Sequence, residues 1–429
     1  MTNVSNFLEF NPDKPCRKAR TAAIFSMNMS NNDVRMRIQV NSRSGFTFCR
    51  NTLESTSEFS NICTFKNALS APVRRPKYSA MSTFDSNKRL ISLDMLRGLT
   101  IALMIVVNDP GSWDHIYWPL RHAEWHGITI TDFVFPFFLF IVGVSIVLST
   151  YKQLAAGADK KKMRKKILIR SLKIFALGIL LNLFPDFNFA ELRIPGVLQR
   201  IAIVYLVCAL MFLSTDWKAQ VKIAVVGLVG YWLAMVLIPV PGIGAGVLEP
   251  GKNLAAWIDS LLLPGTLYQG TWDPEGLLST IPSIVTGITG MLAGQLLKQD
   301  MGIEKKLNYL FLAGLLCVVG GYFWDLFFPF NKNLWSSSFV LFTSGWAMMS
   351  LAACVLLVDV MGYDRMAKFG VIYGSNAITV YVFAGMFPVL LNGVLGFQGF
   401  FYNGLVSLGM VPELASMLYA FLYALICYI

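Results

Sequence analysis

From Leu90 to its last residue, this 429-residue chain is built of apolar stretches nearly free of charge. Each stretch is about 20 residues long, the length a helix needs to cross the hydrocarbon core of a bilayer. Backbone amides cannot be left unpaired in lipid, so stretches of this length are helices. Charged residues make up only 14% of the chain against 55% hydrophobic, and mean hydropathy is +0.56. A soluble domain carries roughly 25% charged residues, so a water-facing surface for the whole chain is not available. Buried helices of a large soluble protein would need amphipathic partners, and almost none are present. The expected fold is an all-α, polytopic transmembrane helical bundle of about ten spans. They are placed at 91–108, 130–151, 167–184, 196–213, 220–240, 279–297, 307–327, 335–359, 372–395 and 412–429.

The connections between these spans alternate in charge. Segments 151–166, 214–224, 298–306 and 360–370 hold 14 Lys and Arg, and the opposite set (109–129, 185–195, 241–278, 328–334 and 396–411) holds 4. Cytoplasmic loops carry the excess of basic residues, which puts the N-terminus in the cytoplasm and the second set outside. The net charge of +11 therefore reads as membrane topology, and no nucleic-acid partner is inferred from it. Residues 1–88 are rich in Ser, Asn, Thr and Arg and lack an apolar period, so they are expected to be a disordered basic extension preceding a membrane domain at 89–429. Met81 opens MSTFDSNKRLISLDMLRG, a natural cytoplasmic start, and residues 1–80 read as upstream sequence; an organellar transit peptide is the alternative. The C-terminus at Ile429, inside an apolar block, reads as truncated or unusually bare. Of the cysteines, Cys16, Cys49, Cys63, Cys208, Cys317, Cys354 and Cys427, the last four lie in apolar blocks without pairing or metal spacing and read as small hydrophobes.

Polar groups are costly at membrane depth, so chemistry is sought where they gather at span ends. The loop NDPGSWDHIYWPLRHAEWHGITITDFVFP, residues 108–136, holds all three histidines, His115, His122 and His126. Asp109, Asp114, Arg121, Glu124, Asp132, Trp113, Trp118 and Trp125 accompany them. Interfacial tryptophans belong to the aromatic belt by default and say little alone. Each histidine singly has an ordinary structural explanation; the bias of all three to one loop marks it, because imidazole is the side chain suited to moving protons near neutral pH. His122 and His126 have the i, i+4 spacing of a helical metal pair, but no third ligand follows at a persuasive distance and no metal is expected. RIPGVLQR (Arg193, Arg200), WDPEG (Asp273, Glu275) and PFNKNLW (Lys332, Asn333) fall on the same external side, so several loops converge on one outward-facing site. Asp94, Arg97 and Asn376 fall toward the opposite mouth. The basic run KKKMRKK reads as an anchor at the lipid surface, with attraction of a polyanionic nucleotide as the lesser reading.

The stretches SLDMLRGLTIALMIVVN, RHAEWHGITITDFVFPFFLFIVGVSI, RIPGVLQR, WDPEGLLSTIPSIV, NKNLW and GSNAITVYV, in this order over about residues 88–429, resemble the heparan-α-glucosaminide N-acetyltransferase family. The chain looks like a bacterial-type member, without the large external domain of the lysosomal enzymes, and would sit in a bacterial plasma membrane. The resemblance implies transfer of an acetyl group from cytosolic acetyl-CoA to the amine of a glucosamine-type sugar on the far side, and a homodimer. The family's catalytic histidine, in a His-Ala-x-Trp motif, matches His122, and its asparagine at the end of the preceding span matches Asn108. Asp109, Trp125, Asp132, Arg200, Asp273, Glu275, Lys332 and Asn333 become candidates for the acceptor. Arg97, Arg170, Lys173 and Asn376 become candidates for the adenosine phosphates. The chain departs from the lysosomal pattern at His126, where those members carry asparagine, and in a slightly longer stretch between Asn108 and His122. These departures leave the acceptor open: another cell-envelope glycan is one alternative. A transporter of sugars or lipid-linked glycans is the other, though the internal repeat common in transporters is not visible between spans 1–5 and 6–10.

Overall fold

A computed structural model describes residues 89–428 and, before them, only the backbone of three segments. Those segments, β1 (Leu8–Phe10), β2 (Thr21–Ser30) and β3 (Asp33–Asn41), pair antiparallel in the order β1-β2-β3 and form a unit of their own. The remainder of the expected disordered extension lies outside the described residues.

The membrane unit is helical. Its elements are α1 (Ile91–Asn108), α2 (Val134–Ala155), α3 (Lys160–Leu183), α4 (Val197–Ser214), α5 (Trp217–Leu237) and the short α6 (Leu254–Leu262). They continue as α7 (Thr280–Lys298), α8 (Ile303–Asp325), α9 (Ser337–Cys354), α10 (Asp364–Ser375), α11 (Ala377–Pro388), α12 (Phe397–Ser407) and α13 (Pro412–Tyr428). Among the described residues, seven helices are long and apolar enough to cross a membrane, or eight if α10 and α11 count as one broken span.

The differences from ten expected spans have local causes. KKKMRKK is the first two turns of α3 rather than a connecting loop, because lysine is a good helix former and Asp159 caps the start by accepting from the Lys161 N–H at 3.0 Å. That makes α3 too charged to count as a span by composition. The expected ninth span is a helix pair bent by 78° next to Asn376. The last helix, at 17 residues, is short.

Helices α2 and α7 form the centre of the bundle. In α7, 72% of the most apolar stretch is buried, against 22% in α8, so α7 is an inner helix and α8 faces outward. The central pair packs backbone to backbone: a methyl group added at Gly290 would collide with the Phe140 carbonyl, and one at Gly143 with the Gly287 carbonyl. Small residues at such crossings let helices approach closely in lipid, where no hydrophobic force drives them together. The same device seats α10 on α1, where Gly374 lies against the Asp94 carbonyl.

Candidate active site

Asn108 ends α1, and the loop that follows folds back over the mouth of the bundle before α2 begins. Asp132 organises this loop. It sits in the helical turn that opens α2 and reaches back three residues to take the Thr129 N–H at 3.0 Å. It also takes the Ala123 N–H at 3.1 Å and the ring of His122 at Nδ1, 2.7 Å away. The Asp132 side chain is only 1% exposed while that of His122 is 46% exposed, so a buried carboxylate holds a half-open imidazole. A carboxylate can only accept, which places the ring proton on Nδ1 and leaves the Nε2 lone pair bare.

Lys332, from the NKNLW loop, brings its ammonium to 3.2 Å from both ring nitrogens of His122. A point equidistant from the two lies along neither in-plane lone pair, so the ammonium stands over the ring face. Burial pushes the Lys332 pKa down against the pull of Asp132 and Glu275.

His122, Asn108, Glu275, Lys332 and Tyr381 share one cavity of about 100 Å³. Apart from Thr131, its remaining wall is apolar, with Met104, Val107, Val134 and Phe135 on the α1 and α2 side. Among the described residues, neither the Asn108 amide nor the Tyr381 hydroxyl has a side-chain hydrogen bond. Tyr381, on α11, carried no signal in the sequence beyond its place in GSNAITVYV. A tyrosine inside an apolar helix is ordinary until the fold aims it at a polar cavity.

Glu275 is positioned by Arg193. The guanidinium spans Asp273 with two bonds of 2.7 Å and reaches Glu275 at 2.6 Å. Burial opposes charge on Arg193, but these two carboxylates more than offset it and raise its pKa. The same contacts overcome burial at Asp273 and hold its carboxyl below the usual range. Arg200 lies underneath, 1% exposed, with its guanidinium 5.2 Å from the Trp335 ring and one nitrogen 3.1 Å from the Gly276 carbonyl. RIPGVLQR and WDPEG are thus two halves of one clamp. Arg200 and Asp273 support the cavity from outside its lining.

Other expected site residues fall elsewhere. Trp125 donates to the Leu248 carbonyl at 2.8 Å and packs on Trp272, tying the histidine loop to the 241–278 connection. Asp109 turns toward Tyr419 and Tyr423 of α13, and burial raises its carboxyl to about 7. Asn333 does not line the cavity; its neighbour Asn331, fully buried, accepts from the Leu334 N–H at 2.8 Å and meets His126 at 3.4 Å. His115 pairs with Tyr402 at 2.9 Å. The three histidines therefore have three separate settings. Among the described residues no cluster of three His, Cys, Asp or Glu is placed to hold a metal.

A second cavity, of about 300 Å³, opens at the other end of the bundle, lined by Arg97, Arg170, Ser145, Ser149, Tyr205 and the break at Ser375 and Asn376. Arg97 is fixed by Asp94 at 3.0 Å and by the Gly374 carbonyl and Ser145 hydroxyl, both at 2.9 Å. Lys173 is exposed and lines neither cavity. The two cavities share Phe138, Leu198, Ile201 and Ile378, which form an apolar collar between them. The geometry is a basic chamber and a small chamber holding an oriented imidazole, with the apolar collar as their common wall.

Comparison with known proteins agrees with the resemblance carried by the motifs. A family model described as heparan-alpha-glucosaminide N-acetyltransferase, catalytic, matches residues 89–324. The human heparan-alpha-glucosaminide N-acetyltransferase is 34% identical over 365 residues, covering 70% of this chain and 54% of the relative. The mouse protein of the same name is 33% identical over 366 residues, covering 71% of this chain and 54% of the relative. The chain thus spans about half the length of the curated relatives it matches. With a match running from Arg89 through the histidine loop and the clamp to α8, the chain belongs to the heparan-alpha-glucosaminide N-acetyltransferase family.

Proposed function

We propose that this chain is a membrane acetyltransferase that moves an acetyl group from acetyl-CoA to the amine of a glucosamine-type sugar, with donor and acceptor entering from opposite sides. One observation carries the reading: His122, oriented by Asp132 with Nε2 bare, lines a small chamber that shares an apolar collar with an arginine-lined one. The charge bias of the loops supports a cytoplasmic position for that chamber. Arg97 and Arg170 would meet the phosphates of the donor, and the pantetheine arm would pass the collar of Phe138, Leu198, Ile201 and Ile378.

In the small chamber the acceptor amine attacks the thioester carbonyl carbon. His122 Nε2 takes the proton the amine must lose, and Asp132 stabilises the imidazolium that forms. The Asn108 amide, with no partner of its own, is available to the developing oxyanion, as is the Lys332 ammonium. The C–S bond then breaks and the departing thiolate recovers the proton from His122. Glu275 and the Tyr381 hydroxyl, opposite, are polar contacts for the amino sugar. A covalent acetyl-histidine is the competing course, in which Nε2 itself attacks the thioester.

The test is transfer of labelled acetyl from acetyl-CoA to a panel of amino sugars in membranes. His122→Ala is expected to abolish product while the protein still accumulates and runs as one species in detergent. Full activity in that variant overturns the assignment of His122. Uptake of labelled sugar without any acetylated product favours a transporter instead.

A further inference from the structure

The two chambers are unequal. The one holding His122 offers about 100 Å³, and the arginine-lined one about 300 Å³. On the reading proposed above, the donor's arm fills the collar and only what lies beyond its sulfur enters the small chamber. An acyl chain longer than acetyl cannot fold back through the collar, because the arm occupies it. Nor can it turn toward Glu275, Lys332 and Tyr381 without stripping water from charged groups and taking the acceptor's place. The remaining direction is the apolar wall. Met104 lies one helical turn before Asn108 on the same face of α1, and Phe138 lies one turn after Val134 on α2. Phe138 also belongs to the collar that the arm would fill, whereas Met104 lines the small chamber and not the arginine-lined one.

We infer that Met104 is a specificity-determining residue for acyl length, an apolar stop that admits acetyl and rejects longer acyl thioesters. The inference rests on the acetyltransferase reading but goes beyond it. Its side chain is not asked to take part in bond making; it sets how far the acyl methyl end can extend from a carbonyl held at Asn108 and His122. A single methylene in an apolar pocket discriminates by roughly 10- to 200-fold, and that is the size of effect expected for each carbon added.

The experiment compares kcat/KM for acetyl-, propionyl- and butyryl-CoA with one fixed amino-sugar acceptor, in wild type, Met104→Ala and the milder Met104→Val. Wild type is expected to favour acetyl over butyryl strongly. The shortened variants are expected to raise the butyryl-to-acetyl ratio by about 10-fold or more. Taking a ratio within each variant removes any general loss of activity, and the milder variant covers the case in which Met104→Ala fails to assemble. A ratio unchanged in variants that still transfer acetyl overturns the proposal, as does a wild type indifferent to chain length. A wild type that transfers no acyl group from any thioester overturns the acetyltransferase reading itself and the stop with it.

Discussion

Replacing Asp132 by asparagine separates orientation of His122 from its mere presence. Asp132 accepts three hydrogen bonds, from His122 Nδ1 at 2.7 Å, the Ala123 N–H at 3.1 Å and the Thr129 N–H at 3.0 Å, while the Thr129 hydroxyl beside it gives its one proton to the Arg121 carbonyl at 2.6 Å. Asparagine is nearly the same size but has one accepting oxygen and one donating NH2. The two backbone N–H groups need that oxygen, so the NH2 is turned toward Nδ1. A donor there demands a bare Nδ1 and moves the ring proton to Nε2, the nitrogen that must accept from the amine. Loss of the charged hydrogen bond costs about 1.5–3 kcal/mol, or roughly 10- to 100-fold in rate. Loss of the base adds toward the ~10²–10⁴-fold that general base catalysis supplies. We expect kcat in Asp132→Asn to fall by about 100-fold or more, with KM for acetyl-CoA little changed, because the arginine-lined chamber is untouched. Labelled-acetyl transfer in detergent-solubilised protein measures this directly. Activity within about threefold of wild type, in a protein that still binds acetyl-CoA, would refute the role given to the Asp132–His122 pair.

Other expectations follow from the surroundings of the site. Arg193→Ala leaves the Asp273 side chain, 0% exposed, facing Glu275 without its counter-charge. Breaking such a buried group typically costs about 3–5 kcal/mol, so the melting temperature in detergent should drop clearly, and an unchanged value would show that the clamp is not structural. Asp109 has a carboxyl raised from 3.8 to about 7 by burial. A raised carboxyl pKa favours the fold fully below its unfolded value, and that contribution is lost as pH climbs through the folded value. Wild type should therefore lose more thermal stability between about pH 5 and pH 8 than Asp109→Asn does; parallel melting curves for the two proteins would contradict this.

The bundle was legible in the sequence because lipid imposes one rule, a long apolar helix, and seven such helices stand near expected positions. What was harder to read depends on tertiary context. Nothing in KKKMRKK distinguishes a basic loop from a basic helix start, since lysine suits both. The break at Asn376 arises where α10 is pressed against α1 through Gly374, a contact between residues nearly 300 positions apart. In the site, the polarity of the histidine loop was visible, but the partition of its histidines was not. His122, His115 and His126 differ only in what approaches them from elsewhere: Lys332, Tyr402 and Asn331. Asp109 follows Asn108 and Trp125 lies three residues after His122, yet Trp125 bridges two loops and Asp109 faces α13. Tyr381 joins the cavity only because the bent helix pair carries it there.

In the proposed reaction the bilayer separates donor from acceptor while His122 mediates the transfer. Sealed proteoliposomes with oriented protein test it most directly, with labelled acetyl-CoA supplied at the Arg97 end and an impermeant amino sugar confined to the His122 end. Acetylated sugar is expected in the compartment that never contained acetyl-CoA, and none with His122→Ala. Product that forms only when donor and acceptor share a compartment would contradict it.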